Sequence, residues 1–138
     1  MKLGKTKEEE RSRAVKYRSI GRALVETAGA LDLIGDARYG NGLAIIAVHA
    51  AIAYTDALTV AYRQVKSTDG DHVRAADVLE FALGPDAEPS QVKRLRRVLE
   101  EKSEAAYGAS FYSLEEGRRL LRQVEKYAAW AEMRLGTG

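Results

Sequence analysis

The sequence lacks cysteine altogether and contains only two prolines among its 138 residues. Without cysteine the chain has no disulfide, no thiolate zinc site and no thiol nucleophile, and a reducing cytosol is the simplest setting for it. Aromatic residues are sparse at 7%, but hydrophobic residues reach 46%, the level of an ordinary folded domain. We therefore expect one cytoplasmic domain over residues 1–138, with residues 1–6 as a flexible N-terminus.

A strong excess of charge of one sign is also lacking. The net charge of +2 is too small to indicate a nucleic-acid or membrane partner by itself. The charge is unevenly placed, however, because residues 1–22 and 91–138 are net basic while residues 23–90 are net acidic. With two histidines in the whole chain, candidates for acid–base catalysis are few.

The longest apolar run covers residues 43–62 and has the length of a membrane span. It carries His49, Thr55, Asp56 and Thr59, and a charge at the centre of a bilayer costs about 2.5–3.5 kcal/mol on insertion scales. We therefore interpret the run as the central helix of a bundle and expect no membrane partner. The N-terminal ten residues are charged and have no apolar core of the signal-peptide type.

Apolar residues at alternating steps of three and four indicate helices along most of the chain. The stripe of the first helix comprises Ala14, Tyr17, Gly21, Leu24, Ala28 and Leu31, and the helix ends near Ile34. Thr6 with Glu9 predicts a capping box at its start, and Ser113 with Glu116 predicts another at the start of the last helix.

Turn residues divide the rest of the chain. A second helix is predicted over residues 43–66, a short third over 72–83 with Asp71 as N-cap, and a fourth that opens at Ser90 as N-cap. Gly84–Pro85 stops the third helix, and no segment alternates in the manner of a strand. The predicted fold class is all-α, an antiparallel up-and-down helical bundle of four long helices and one short helix.

Two polar residues of the second helix form a candidate polar core site. His49 and Asp56 are seven residues apart and therefore lie on nearly the same helix face. Because a buried carboxylate must find a partner or become protonated, we expect Asp56 to meet an arginine, lysine or tyrosine of a neighbouring helix. The pair fits either a structural polar network in the core or a site that holds a small ligand.

Metal and nucleophile chemistry have little support in the sequence. Di-metal bundles use Glu-x-x-His pairs, and neither His49 nor His72 has a glutamate three residues before it. Asp69 and His72 have that spacing, but across a loop where acids commonly form turns. The chain also has no Gly-x-Ser-x-Gly turn and no glycine-rich phosphate loop. We expect no metal and no cofactor.

The basic helix faces are the remaining candidate site. Arg94 and Arg97 of the fourth helix and Arg118 and Arg122 of the last helix are candidates for RNA binding, in which each phosphate contact adds to a salt-sensitive affinity. Glutamates are interleaved with these arginines. A solvated helix face that carries ion pairs at i, i+3 or i+4 is therefore the alternative interpretation.

Three segments resemble the HEPN superfamily of helical domains. They are HAAIAYTDAL at residues 49–58, Asp71–His72, and VLEEKSEAAYG at residues 98–108, followed by the capped last helix. The resemblance covers residues 43–135 and rests on soft motifs of alanine, leucine and tyrosine. It implies a homodimer that binds RNA or a partner protein, of the type found in toxin–antitoxin systems or beside nucleotidyltransferases.

The active members of that superfamily have an arginine followed four to six residues later by a histidine, near the end of the fourth helix, and cleave RNA without metal. Lys102 and Tyr107 occupy the matching place here. Lysine lacks the guanidinium fork, and tyrosine, with a reference pKa of about 10, is a poor base near neutral pH. The resemblance therefore implies a non-catalytic module. The alternative is a divergent metal-independent ribonuclease that uses Lys102 and Tyr107.

Overall fold

The computed structural model describes residues 3–106 and 111–137, with the side chains of residues 3–101 and 111–137. Within these ranges the chain forms five α-helices and one two-stranded antiparallel sheet. In chain order the elements are β1 Thr6–Glu8, α1 Ala14–Ile34, α2 Gly40–Arg63, β2 Val65–Ser67, α3 Arg74–Leu83, α4 Pro89–Ala106 and α5 Leu114–Leu135. The predicted all-α class is confirmed, with four long helices and one short one.

Helix α2 is the centre of the bundle. It packs against each of the four other helices, and it is buried on nearly all sides from Leu43 to Val60. The segment Ala37–Arg63 is long and apolar enough to cross a membrane by length and composition, but 78% of its most apolar stretch is buried inside the protein. Helix α2 is apolar because the apolar faces of its amphipathic neighbours surround it. A helix enclosed in this way has no side that faces water and needs no polar face.

Helix α1 packs on α2 through the stripe that the sequence predicts. Ala14, Gly21 and Ala28 are buried along this face, and the helix ends at Ile34 as expected. Gly35 follows it with φ 68°, and its N–H donates to the Leu31 carbonyl at 3.2 Å. Glycine adopts this left-handed backbone without a steric penalty, which is why the helix stops there.

The capping box at the start of α5 is confirmed. The Glu116 N–H donates to Ser113 Oγ, and the Ser113 N–H donates to Glu116 Oε1, both at 3.1 Å. The stop at Gly84–Pro85 is confirmed as well, since α3 ends at Leu83 and Gly84 has φ 54°. Both features depend on short-range hydrogen bonding and backbone preference, which the sequence carries directly.

The predicted capping box at Thr6 and Glu9 is wrong, and so is the expectation that no strand forms. Residues 6–8 form β1, which pairs with β2 in the register Thr6↔Ser67 and Glu8↔Val65. The segment expected to be a flexible N-terminus is held at Lys5 too, since the Thr68 N–H donates to the Lys5 carbonyl at 2.8 Å. Residues 6–8 therefore pair with a strand some 60 residues away in the chain instead of capping helix α1.

Three other helix starts differ from the prediction by a few residues. Helix α3 begins at Arg74, and the Asp71 carboxylate accepts the Val73 N–H at 3.2 Å in the turn before it. Helix α4 begins at Pro89, one residue before the predicted cap, because proline suits the first helical position. Helix α2 begins at Gly40, three residues before its predicted start at residue 43.

Gly40 is helical because the starts of α2 and α5 cross there in close contact. A Cβ at Gly40 would lie 2.7 Å from both the carbonyl carbon and the carbonyl oxygen of Ser113, and closer still to the Tyr112 carbonyl oxygen. A Cβ at Gly117 would lie 2.9 Å from the Gly40 carbonyl oxygen. The Tyr112 N–H also donates to Asn41 Oδ1 at 3.0 Å. This crossing fixes the position at which α5 begins.

A shared carboxylate joins α1, α2 and the end of α5. Glu132 accepts hydrogen bonds from Arg18 Nε, Arg22 Nε and the Tyr54 hydroxyl, each at 2.7 Å. The bond from Arg22, with those from Tyr54 and Arg18, lowers the pKa of Glu132 to about 2. Arg18 is 8% exposed, so its charge depends on this carboxylate for compensation.

Candidate anion-binding groove

A groove of about 510 Å³ runs between α4 and α5 on the surface of the bundle. Both helices are amphipathic, and their apolar residues face α2 and the core, as shown by the burial of Leu95, Leu99 and Leu121. The side chains at the edges of the two apolar faces are therefore left to line the groove between the helices. Val98 of α4 and Leu120 of α5 form its apolar floor.

Four arginines line this groove. Two come from α4 and two from α5, namely Arg94, Arg97, Arg119 and Arg122. Arg94 is held by uncharged acceptors, with Nε donating to Gln123 Oε1 at 3.0 Å and Nη1 donating to Gln91 Oε1 at 2.8 Å. Because amide oxygens carry no net charge, this arrangement orients the guanidinium without neutralising it.

Arg97 and Arg119 are the most available of the four cations. Both are exposed, and neither forms an ion pair with a carboxylate whose side chain the structure describes. A guanidinium presents five N–H donors in a planar fork that matches the oxygens of a phosphate or carboxylate. Each of these two side chains can therefore engage an oxyanion in the groove without breaking an ion pair to a described side chain.

The two carboxylates that line the groove are both engaged locally. Glu116 belongs to the capping box of α5 and accepts the Ser113 N–H. This hydrogen bond lowers the pKa of Glu116 below its usual range. Glu101 accepts a hydrogen bond from the hydroxyl of Tyr112, itself a buried lining residue. The groove therefore combines four cations with two anions, and each anion already has a hydrogen-bond donor.

Arg118 lies outside the groove lining and ties α5 to the end of α1. Its Nε donates to Asp32 Oδ1 at 2.5 Å, and its Nη2 donates to the Asp32 carbonyl at 3.0 Å. Arg122 contacts the same carboxylate, with Nη2 2.7 Å from Asp32 Oδ2. Hydrogen bonds from Arg122 and then Arg118 lower the pKa of Asp32. One predicted RNA-binding residue, Arg118, thus makes a structural ion pair.

Three of the four predicted RNA-binding candidates meet at the groove, namely Arg94, Arg97 and Arg122. Arg119 belongs to the same basic face of the last helix but was not among the four chosen candidates, and its side chain also lines the groove. Arg119 is three residues from both Glu116 and Arg122, and residues at that spacing share a helix face. The sequence therefore indicates that Arg119 lies beside these two residues. The polar face of α4 also makes an ion pair away from the groove, from Arg96 to Asp77 at 2.9 Å.

The predicted polar core site of His49 and Asp56 is wrong in its histidine. His49 is exposed on α2, whereas Asp56, two turns later, is 7% exposed. The strand β2 packs against α2 and lies beside Asp56. Asp56 does meet a lysine, as expected, but from the strand that follows α2, with Lys66 Nζ 3.9 Å from Asp56 Oδ2.

The alternative catalytic pair lies outside the described side chains. The side chain of Lys102 and the whole of Tyr107 fall in residues 102–110. Among the residues that the structure does describe, no group of three or more histidine, aspartate or glutamate side chains is placed to hold a metal ion.

Comparisons of the chain with protein-family models, with curated proteins and with solved structures find no match.

Proposed function

We propose that the protein is a non-catalytic, HEPN-like interaction module that binds RNA through the groove between α4 and α5. The observation that carries this proposal is the set of four arginines on one groove, with Arg97 and Arg119 free of ion pairs to any described side chain. Phosphate contacts supply most of the affinity of a protein for RNA, and arginine is the side chain best shaped for them.

The apolar floor of the groove supports RNA over a small inorganic anion. Val98, Leu120 and Tyr112 line the groove together with the arginines, so a ligand with both charged and flat apolar parts contacts more of the groove than a bare anion does. RNA bases stack on apolar and guanidinium surfaces while the backbone contacts cations at the rim. A partner protein is the other ligand that the HEPN resemblance implies, and it is the outcome indicated if RNA does not bind.

We propose in addition that the module is a homodimer, as the resemblance implies. Helix α1 carries a second apolar stripe on its outer side, with Ile20, Ala23, Thr27, Ala30 and Ile34 all exposed at steps of three and four. At the end of this helix Leu33 is 90% exposed and Ile34 is 63% exposed. Two large aliphatic side chains side by side in water favour burial against a partner surface.

A titration against labelled mixed-sequence RNA at low and at physiological salt, with each sample then run on a denaturing gel, tests the proposal. We expect binding that weakens steeply as salt rises, with the RNA left intact. Cleavage that depends on Lys102 and Tyr107 would replace the proposal with the divergent ribonuclease. Absence of both binding and cleavage would refute the RNA proposal and direct the search to a partner protein.

A further inference from the structure

The N-terminal strap, residues 5–10, lies across the seam between the end of α2 and β2. Backbone hydrogen bonds hold it there, including the Glu9 N–H to the Gln64 carbonyl at 3.0 Å and the Thr68 N–H to the Lys5 carbonyl at 2.8 Å. The Lys5 N–H also donates to Asp69 Oδ2 at 2.9 Å. All residues of β1 are exposed. The strap has no buried apolar anchor, and the side chain that holds it is Glu9, which is 8% exposed and accepts from the Tyr17 hydroxyl. A segment held by so few contacts opens at lower cost than the packed helices.

The strap pairs with β2, whose Lys66 contacts the buried carboxylate of Asp56. The charged groups that face it come from three elements: Lys66 of β2, Lys7 of β1, and Glu9 just after β1. From α5, the buried Tyr127 lies nearby and shares a hydrogen bond of 2.6 Å with the Thr55 hydroxyl. Asp56 thus lies among two lysines, one glutamate and one neutral phenol.

The lysines near Asp56 are already partly compensated by Glu9. Lys7 and Lys66 stand directly opposite each other in the β1–β2 register, and Lys7 Nζ lies 3.7 Å from Glu9 Oε2. The Tyr17 hydroxyl donates to Glu9, and Lys66 Nζ lies 4.8 Å from the centre of the Tyr17 ring. The negative charge of Glu9 therefore offsets part of the positive charge of Lys7 and Lys66 that would stabilise an ionised Asp56. Burial raises the pKa of Asp56 to about 7, with Lys66 opposing the rise and Glu9 adding to it.

We propose that the strap is a proton-linked latch, which closes over a neutral Asp56 and loosens when that carboxyl ionises. Opening hydrates the Asp56 carboxyl and removes Glu9 from it. Lys66 follows α2 directly and stays within reach. Opening also removes Lys7, which favours the ionised form, but the gain of water and the loss of the stronger Glu9 interaction outweigh that change. Closing therefore takes up a proton, and opening releases it to solvent. With a pKa of 3.8 for Asp56 in the open form, the closing equilibrium constant falls by about tenfold or more between pH 5 and pH 7.

Hydrogen exchange followed by mass spectrometry tests the latch in the intact protein. The observable is the protection factor of the strap amides and of the Thr68 amide, which corrects for the pH dependence of intrinsic exchange. We expect a fall of about tenfold or more from pH 5 to pH 7 in the wild type. In Asp56→Asn the protection should change less than about threefold over the same range.

Two further variants keep the test independent of how well Asp56→Asn folds. Glu10→Gln removes an exposed carboxylate next to β1 and should leave the fall unchanged, as the matched control. Lys66→Gln removes the cation that favours ionised Asp56 and should move the fall to higher pH. Protection that is independent of pH in the wild type, or a fall that persists in Asp56→Asn because another group such as His72 causes it, would overturn the proposal.

Discussion

The crossing of α2 and α5 at Gly40 makes a prediction about stability with an internal control. Gly40→Ala places a methyl group 2.7 Å from the Ser113 carbonyl, whereas a Cβ at Gly42, two residues later in the same helix, meets nothing within 4 Å. Both glycines are helical, so alanine suits the backbone at either position. The two substitutions therefore add the same methyl group and differ in the space available to it.

The expected magnitude follows from the contacts at the crossing. The atoms that meet the new methyl group at Gly40 belong to the backbone, so α5 must move away, and such overpacking costs about 1–3 kcal/mol. The movement also strains the hydrogen bond from the Tyr112 N–H to Asn41 Oδ1, a loss of about 1 kcal/mol. Alanine has a higher helix propensity than glycine, which offsets up to about 1 kcal/mol of this loss in stability. We expect Gly40→Ala to be destabilised by about 1–3 kcal/mol.

Gly42→Ala should instead be more stable than the wild type by about 0.5–1 kcal/mol, because it gains helix propensity without a clash. Urea denaturation followed by circular dichroism measures both variants, provided that the m-value is unchanged. Equal stability of Gly40→Ala and Gly42→Ala would refute the close approach of α2 and α5. Because Tyr112 lines the groove next to this crossing, Gly40→Ala should also weaken ligand binding there.

The remaining predictions concern Glu132 and the outer stripe of α1. Glu132→Gln should lower the free energy of unfolding by about 2–3 kcal/mol at pH 7, since the carboxylate has a depressed pKa in the fold and contributes its stability above the unfolded value of about 4.5. The difference from the wild type should shrink as pH falls from 4.5 towards 2, and a constant difference in urea denaturation would contradict it. Light scattering at micromolar concentration should give twice the chain mass for the wild type and one chain mass for Leu33→Glu/Ile34→Glu; a wild-type monomer would refute the dimer.

The fold was predictable wherever short-range chemistry decides it. The apolar stripe of α1, the capping box at Ser113 and Glu116, and the stop at Gly84 each depend on residues within a turn or two of one another. The Thr6–Glu9 pattern satisfies the same local rule and nevertheless failed. Residues 6–8 pair with residues 65–67. A pattern of neighbouring residues cannot predict a contact between segments so far apart in the sequence.

The candidate site was predictable in part for the same reason. Helical spacing identified Arg94 and Arg97 as a basic face, but the choice between Arg118 and Arg119 depends on how α5 is rotated against α1 and α4. Asp32 at the end of α1 binds Arg118, and nothing local to either residue predicts that pairing. The burial of Asp56 and the exposure of His49 likewise depend on which parts of α2 the other elements cover, and that is set by long-range packing.

The salt dependence of RNA binding by two charge-matched double variants tests the central claim most directly. Arg97→Gln/Arg119→Gln removes the two groove cations that form no ion pair with a described side chain. Lys93→Gln/Lys126→Gln removes two exposed cations from the same helices outside the groove lining. If the groove binds RNA, the first pair lowers the slope of log K against log salt by about 1.4 for a single strand, while the second leaves it near the wild-type value. Equal slopes in the two variants would contradict the groove as the binding site.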